Sequence, residues 1–297
     1  MTFVYPDSGI VRAPAKINLH LKVCGVLPDG RHLLDTSFAF VDVYDELEIH
    51  VASQLDVRCS DARLSGERNL VYQVLRALQH ASGVRQGLSV YIHKNLPSEA
   101  GLGGGSSDAA VALLAANVLW GLHWDLSRLI ALATPLGADI PCFLFGRASL
   151  ASGVGEQLQE LPQALPEAWM CLVRPKTGLS TAAVFHRYDE QQENMLTGSK
   201  ADAKVRPASQ GCFRIGDNDL EGSATSLLDD VVRLLRSMRQ DGRHSWMSGS
   251  GSTCVCLCSS QEEANTLLDS LHQEGLVYWA HVGHVLRVHP AFSSIGA

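Results

Sequence analysis

The feature that most constrains the fold is a glycine-rich loop that runs directly into a long apolar segment. Four glycines fall within Gly101–Gly105, and the segment from Ser106 to Trp120 is rich in alanine and leucine without a polar stripe. A helix that is apolar all round is buried all round. The fold must therefore surround this helix with other elements, and the glycine loop must lie at its N-terminal end.

Strand-like alternation precedes and follows the loop. Between residues 15 and 23, apolar and polar side chains alternate, which predicts a half-buried strand with Lys16 and Asn18 on its polar side. Residues 47–51 and 88–92 alternate in the same way.

Helical periodicity separates these strands and continues after them. Helices are predicted over residues 69–82, 126–136 and 227–238, and Gly83 ends the first of them. Further strands are predicted at residues 169–173 and 254–258, and Gly249–Gly251 forms a tight turn before the latter. Residues 186–219 are polar and poorly periodic, so we expect a loop-rich stretch there.

The chain is long enough for two domains. It has 297 residues, which exceeds one ordinary core, and two prolines within Leu161–Pro166 indicate a linker. Strands and helices are mixed without strict alternation, which is typical of the α+β class. We expect an N-terminal domain over residues 1–162 and a C-terminal domain over residues 163–297.

Composition excludes several classes of partner. The 24 basic and 31 acidic residues give a net charge of −7, which argues against a protein that coats nucleic acid. The chain start lacks an export signal, and Ala109–Leu122 is too short to span a bilayer. Cys254, Cys256 and Cys258 would share one strand face as buried reduced thiols. We expect a cytoplasmic protein, a monomer or weak homodimer, that binds a small molecule and neither nucleic acid nor membrane.

The glycine loop has the properties of a phosphate-binding site. Glycines let the backbone approach a ligand closely, and a helix N-terminus adds partial positive charge. A flexible loop or a plain helix cap is the alternative. No lysine follows the glycines as in a P-loop, and Ser106 takes the last glycine position of a G-x-G-x-x-G motif. The loop alone therefore predicts phosphate binding and nothing finer.

Two other segments hold residues with alternative interpretations. Lys16 could supply a fixed positive charge beside a reacting phosphate. A solvated strand face is the alternative for Lys16 and Asn18, and these residues alone favour it. Asp139 is a lone carboxylate in the apolar stretch 137–145. It either forms a turn by accepting backbone hydrogen bonds or acts in catalysis.

Taken together, three segments resemble a known family. Residues 14–18 (Pro-Ala-Lys-Ile-Asn), the loop from Pro97 to Ser107 and residues 247–251 (Met-Ser-Gly-Ser-Gly) are similar to the three motifs of the GHMP small-molecule kinases. Residues 27–34, 137–141 and 151–156 resemble the members that act on a cytidine diphosphate-linked methylerythritol. The resemblance extends from about Arg12 to about Leu257 and is weakest over residues 186–219.

The resemblance implies a fold and an activity. The first domain would resemble domain 2 of ribosomal protein S5, and the second would be ferredoxin-like. ATP would be the phosphoryl donor, with Mg²⁺, and the 2-hydroxyl of the methylerythritol moiety the acceptor, in the non-mevalonate route to isoprenoid precursors. Other members of the family act on homoserine, mevalonate or sugars, and a catalytically silent nucleotide-binding sensor of the same fold is a further alternative.

The resemblance also implies roles for individual residues. Asp139 matches the catalytic base, which also contacts the substrate, and Lys16 matches its partner. The nucleotide site would comprise Lys94, Pro97, Gly101, Leu102, Gly103, Gly104, Gly105, Ser106 and Ser107, and Ser107 is a candidate Mg²⁺ ligand. The substrate would be held by Asn18, Arg31, His32, Thr181 and Phe185, with His32 reading the cytosine edge.

Two positions depart from the family pattern. Arg31 stands where the family usually has tyrosine before His32, and its planar guanidinium could stack on cytosine opposite Phe185. A solvated turn residue after Asp29-Gly30 is the alternative for Arg31. Ser98-Glu99-Ala100-Gly101 stands where Met-Gly-Gly-Gly is commoner, which places a carboxylate near the phosphates. Glu99 either faces solvent or helps to hold Mg²⁺.

Overall fold

The computed structural model describes residues 2–162, 164–165, 167–196 and 213–293. Within these residues the strands are β1 Thr2–Phe3, β2 Ile10–Val26, β3 His32–Ala52, β4 Asp56–Cys59, β5 Gly87–His93, β6 Ser149–Ser152, β7 Gln157–Glu160, β8 Trp169–Arg174, β9 Ser245–Met247, β10 Cys254–Cys258, β11 Trp279–Leu286 and β12 Phe292–Ser293. The α-helices are α1 Leu70–Ser82, α2 Gly104–Leu119, α3 Leu126–Ala133, α4 Ile140–Phe145, α5 Thr181–Leu196, α6 Glu221–Leu227, α7 Asp229–Met238 and α8 Gln261–Gln273. Short 3₁₀ turns lie at Ala62–Leu64 and Gln240–Gly242.

One ten-stranded sheet runs through both halves of the chain. Its main path is β4-β5-β3-β11-β8-β10-β9, while β2 pairs with β3, and β6 pairs with β3 and β7. Strand β11 joins the halves, because it pairs with β8 and also with β3 through Val285 and Leu286. β1 and β12 form a separate two-stranded sheet. The mixed α and β content confirms the predicted fold class.

The predicted helices begin and end for local reasons. The Asn69 side chain caps α1 by accepting a hydrogen bond from the backbone N–H of Val71, and Gly83 ends the helix in the left-handed conformation. Helix α2 begins at Gly104, two residues earlier than predicted, and its central residues are buried on all sides. It packs against α1, α4 and β2, which supplies the surrounding layers that its composition required.

Three details of the sequence prediction were wrong. β2 is buried on both faces, since Lys16, Asn18 and His20 are each 3% exposed or less. The stretch from residue 186 is helical as far as Leu196, because α5 packs its Val184 and Tyr188 side chains into the second core. The helix expected over 227–238 is α7, which begins two residues later at Asp229, because the chain breaks at Leu228 and Leu227 is the last residue of α6. Residues 197–212 of the predicted loop lie outside the described residues.

The hydrophobic core has three parts. One lies around α1, α2 and β5, and a second lies around α7, α8 and β10. A third joins Ile17 and Leu19 of β2 to Trp246 and Val255 of the second half. The described residues of the predicted linker, Leu161–Pro166, lie outside helices and strands. The last strands return to the first half of the chain, and Leu21 and Val23 of β2 belong to the second core, so the domain boundary near residue 162 stays a prediction.

The cysteines on β10 behave as small apolar residues. Cys254, Cys256 and Cys258 are buried in the second core on one face of the strand, and Cys256 lies opposite Cys171 of β8. All four are free thiols. Within the described residues, each helix is too short or too polar to cross a membrane.

Candidate active site

A cleft of about 600 Å³ lies between the two halves of the chain. Its walls come from β2, the loop before α2, the start of α4, the start of α5 and the turn between β9 and β10. The predicted site residues that line it are Lys16, Asn18, Lys94, Pro97, Gly101, Gly103, Gly104, Gly105, Ser106, Asp139, Thr181 and Phe185. The chain therefore brings the three motifs to one cavity.

Lys16 is a buried cation that faces this cleft. Its side chain is 4% exposed, and Nζ donates a hydrogen bond of 2.5 Å to Oδ1 of Asn18. Asn18 in turn donates from Nδ2 to Oγ1 of Thr36 at 2.8 Å. These hydrogen bonds fix the position of the ammonium group. Because Lys16 is bonded to Asn18 and not to solvent, the solvated strand face is not the explanation for these two residues.

Asp139 lies opposite Lys16. Its Oδ2 atom is 3.5 Å from Lys16 Nζ, and its side chain is 36% exposed towards the cleft. It occupies the N-cap position of α4, but its side chain makes no capping hydrogen bond. The turn-forming alternative is therefore not supported, and the carboxylate is available to a molecule in the cleft.

The glycine loop is attached to both halves of the protein. The backbone N–H of Lys16 donates to the carbonyl of Leu102 at 2.9 Å, and Ser248 Oγ donates to the carbonyl of Gly101 at 3.1 Å. A β-carbon at Gly101 would lie 2.3 Å from the Ser248 carbonyl oxygen, and one at Gly103 would lie 2.9 Å from the Phe143 ring. Both glycines also have positive φ, so this close packing depends on glycine.

Lys94 is held by two buried carboxylates. Its Nζ atom contacts Oδ2 of Asp45 and lies 2.8 Å from Oδ2 of Asp108. Burial alone would lower the pKa of Lys94, but the charges of Asp108 and Asp45 outweigh burial and raise this pKa above its usual value. Burial raises the pKa of Asp108 well above the usual carboxyl range, although Lys94 opposes this shift. Lys94 therefore stays charged beside the loop.

Asp45 also fixes the start of the glycine loop. It is fully buried on β3, and its Oδ1 atom accepts hydrogen bonds from the backbone N–H groups of Asn95 at 2.6 Å and Leu96 at 2.8 Å. A single carboxylate thus orients both a lysine and the loop backbone.

The far end of the cleft carries an aromatic surface on α5. The Phe185 ring stacks on His32 at 4.4 Å between centroids, and His32 Nε2 lies 2.8 Å from Oδ1 of Asp189. Thr181, one turn before Phe185, hydrogen-bonds through Oγ1 to Ser250 Oγ at 2.9 Å. His32 is thus placed behind Phe185, and Phe185 faces the cavity.

Four predicted residues, Arg31, His32, Leu102 and Ser107, lie away from the cavity wall. Arg31 is paired with Asp29, with Nη2 2.7 Å from Oδ2, on an exposed turn, and it does not line the cleft. The two-residue spacing lets Asp29 hold the guanidinium on this turn, as the turn-residue alternative predicts, and stacking of Arg31 on a bound cytosine stays a prediction. Leu102 and Ser107 are buried behind the loop.

Sequence reasoning missed several residues of the site. Asp45 and Asp108 hold Lys94, and Arg68 and Asn69 line the cleft beside the loop. Ser248 belongs to the third motif, but its contact with the Gly101 carbonyl was not predicted. Asp108 stands directly after the serines of the loop, which was a usable signal. Asp45 lies on β3, about 50 residues before its partners, and no local pattern connects them.

Two buried oxygen atoms near the loop bear on a metal ion. Ser107 Oγ and Asp108 Oδ1 have no hydrogen-bond partner, and Asp108 lines the cleft. Mg²⁺ takes oxygen ligands, usually one or two carboxylates together with substrate phosphates and water. The described residues contain no group of three or more acidic, histidine or cysteine side chains arranged around a common metal position. The oxygen atoms present therefore fit an ion held mainly by phosphates.

Comparison with known families matches both halves of the chain to one family. The profile of the GHMP kinases N terminal domain matches residues 69–147, and that of the GHMP kinases C terminal domain matches residues 205–276. A crystal structure of 4-(cytidine 5'-diphospho)-2C-methyl-D-erythritol kinase has 31% identity and a TM-score of 0.72, and the match covers 93% of this chain and 98% of that one. A homoserine kinase from Cytophaga hutchinsonii shares the fold at 19% identity, with a TM-score of 0.68 and coverage of 97% and 98%.

Sequence relatives extend over nearly the whole chain. The 4-diphosphocytidyl-2-C-methyl-D-erythritol kinase of Chromobacterium violaceum is 40% identical over 286 residues, which cover 95% of this chain and 96% of the relative. The kinase of the same name from Pseudomonas entomophila is 36% identical over 285 residues, with coverage of 95% and 96%. With both GHMP domains present and this identity sustained from end to end, the chain belongs to the 4-diphosphocytidyl-2-C-methyl-D-erythritol kinase family of the GHMP kinases.

Proposed function

We propose that this protein transfers the γ-phosphoryl group of ATP to the 2-hydroxyl of 4-diphosphocytidyl-2-C-methyl-D-erythritol. This reaction belongs to the methylerythritol phosphate route to isoprenoid precursors. The observation that carries the proposal is the pair of Lys16 and Asp139, 3.5 Å apart, in the same cleft as the glycine loop. The names of the relatives supply the acceptor.

In this mechanism Asp139 is the general base. The acceptor hydroxyl loses its proton to the Asp139 carboxylate as its oxygen forms a bond to the γ-phosphorus, and the bond to the ADP oxygen breaks. Lys16 stabilises the ionised carboxylate before the transfer and the negative charge on the transferring group during it. Phosphoryl transfer depends mainly on such positioning and electrostatic stabilisation.

The nucleotide phosphates would lie against the glycine loop. The backbone of Gly103, Gly104 and Gly105 lines the cleft at the N-terminus of α2, where the helix dipole favours an anion. Lys94 supplies a positive charge on the same wall, and Asp45 and Asp108 hold it in place. Pro97, Gly101 and Ser106 complete the wall.

A magnesium ion is part of this proposal. When bound, Mg²⁺ neutralises charge between the phosphate oxygens of ATP. Asp108, which lines the cleft and whose Oδ1 atom has no partner, would hold it, and Ser107 Oγ is a second unpartnered oxygen atom, buried behind the loop. Glu99 is exposed at the cleft, so its carboxylate is solvated in this structure.

The cytidine end of the substrate would lie against α5. Phe185 presents an aromatic face to the cavity, and aromatic faces stack well on nucleobases. His32 supports Phe185 from behind, and its ring would read the cytosine edge only after it leaves Asp189. Asn18 and Thr181 line the intervening wall and would hold the acceptor.

The experiment that tests the acceptor is an ADP-release assay on four compounds. We expect turnover with 4-diphosphocytidyl-2-C-methyl-D-erythritol and at least about a hundredfold lower kcat/KM with homoserine, mevalonate and galactose, since these lack the cytidine group. Comparable turnover on any of the three would contradict the proposal. A chain that binds ATP without turnover on all four would instead be a nucleotide sensor. The cytoplasmic location, the monomer or weak homodimer and the lack of a nucleic-acid partner stay predictions.

A further inference from the structure

A buried arginine from the second half of the chain contacts the glycine loop. Arg174 ends β8 and is 8% exposed. Its Nη2 atom donates to the carbonyl of Ser98 at 3.2 Å, and Nη1 donates to the carbonyls of Pro175 at 3.2 Å and Lys176 at 3.3 Å. The guanidinium therefore joins the loop to the segment that follows β8.

This guanidinium has no acidic partner among the described residues, where no carboxylate lies within 4.0 Å of it. Its Nε atom is buried without a hydrogen-bond partner, and the guanidinium carbon lies 5.1 Å from the centre of the Tyr278 ring. Burying an unpaired charge is costly. A contribution to ion-pair stability therefore does not explain this residue.

The backbone that Arg174 contacts is strained. Glu99, directly after Ser98, has φ of +52°, a conformation that side chains other than glycine rarely adopt. Gly178 packs against the same turn, since a β-carbon there would lie 2.7 Å from Arg174 Nη2 and 3.2 Å from the Glu99 carbonyl oxygen. Such a backbone conformation persists only where contacts with the surrounding structure hold it in place.

We propose that Arg174 is a positioning residue for the nucleotide: by holding the Ser98 carbonyl it keeps the Ser98–Glu99 turn, and with it the entrance of the glycine loop, in the phosphate-binding conformation. This inference rests on the proposed kinase function. Arg174 does not line the cleft, so it acts through the loop.

The test compares ATP with the second substrate. Arg174→Ala raises the KM for ATP and the Kd of a non-hydrolysable ATP analogue by on the order of tenfold, as expected for loss of a charged hydrogen bond, while the KM for the cytidine substrate stays within about twofold. Arg174→Lys, which reaches fewer carbonyls, gives an intermediate KM for ATP. Millimolar methylguanidinium lowers the KM for ATP of Arg174→Ala. Arg233→Ala, at an exposed arginine of α7, is the matched control and leaves both KM values unchanged.

A second variant tests the link to the strained turn. Glu99→Gly relieves the positive φ, so adding it to Arg174→Ala recovers part of the lost ATP affinity. Independent, multiplicative effects of the two changes would overturn the proposal, as would equal increases in both KM values or a lower melting temperature with neither KM changed. If Arg174→Ala does not fold, Arg174→Lys carries the same comparison. Absence of turnover in the parent protein would refute the kinase function instead, while analogue binding would still test Arg174.

Discussion

Replacement of Lys16 by methionine removes one positive charge from the cleft and little else. Methionine keeps most of the length of the buried stem, so packing against β3 is preserved. Two groups lose their partner: Oδ1 of Asn18, which accepts from Nζ at 2.5 Å, and Asp139, which lies 3.5 Å away. The first loss affects mainly stability, by about 1–3 kcal/mol for a buried acceptor left unpaired.

The second loss affects catalysis. At 3.5 Å, Coulomb's law gives about 5 kcal/mol at an effective dielectric constant near 20 and about 1 kcal/mol in bulk water. Asp139 is more than one third exposed, so solvent screening places the interaction between these limits. As Asp139 takes up the proton, its attraction to Lys16 weakens, and the negative charge on the transferring group replaces it as the partner of Lys16 in the transition state. We expect kcat for Lys16→Met to fall roughly 100-fold to 1000-fold, which corresponds to about 3–4 kcal/mol.

The measurement is steady-state ADP release at saturating ATP and cytidine substrate, with a thermal melt of each variant. Lys22→Met is the matched control, because Lys22 follows on the same face of β2, is 40% exposed and pairs with Asp219 outside the cleft. The control should keep its kcat within about twofold, as expected for a surface ion pair. A kcat for Lys16→Met within tenfold of the parent, in a folded protein, would refute the role given to Lys16.

Further predictions concern the loop and the core. Gly101→Ala places a β-carbon 2.3 Å from the Ser248 carbonyl oxygen at positive φ, so calorimetric titration should show weaker ATP binding with little change for the cytidine substrate. Asp45→Ala removes one of the two carboxylates that hold Lys94 and leaves two backbone N–H groups without their acceptor, so the KM for ATP should rise at least about tenfold; an unchanged KM would contradict this. Burial lowers the pKa of His289 to about 3, so its neutral form stabilises the fold fully above about pH 6.5 and this stability is lost as the pH falls towards 3. Between about pH 6 and 4 the unfolding free energy of the parent should fall by about 1.4 kcal/mol per pH unit more than that of His289→Phe, and equal slopes would contradict this.

Local chemistry made part of this fold predictable. Asn69 and Gly83 bound α1 because an asparagine cap and a left-handed glycine are short-range signals. The loop before α2 was predictable because glycines destabilise the interior of a helix or strand, so a run of four indicates a loop. The alternation in β2 correctly predicted a strand. The alternation did not predict that the polar side chains of β2 are buried, because they face a cleft that the second half of the chain closes.

Long-range contacts account for what the sequence did not reveal. Asp45 and Lys94 are 49 residues apart in the sequence, and the pairing of β3 with β5 brings them into contact. Helix α5 extends past residue 186 although its exposed face is polar, because Val184 and Tyr188 pack into the second core. Arg31 was expected at the cleft, but the carboxylate of Asp29 lies two residues away and holds it on the turn.

The most direct test of the account is a single-turnover measurement on Asp139→Asn. The amide preserves shape but accepts no proton, so we predict that ATP and the cytidine substrate still bind with affinities within a few-fold of the parent. The rate of phosphoryl transfer, followed by rapid quench with labelled ATP, should fall at least about a hundredfold, in line with the usual contribution of a general base. Transfer at more than about a tenth of the parent rate would contradict the assignment of Asp139 as the base and the mechanism built on its pairing with Lys16.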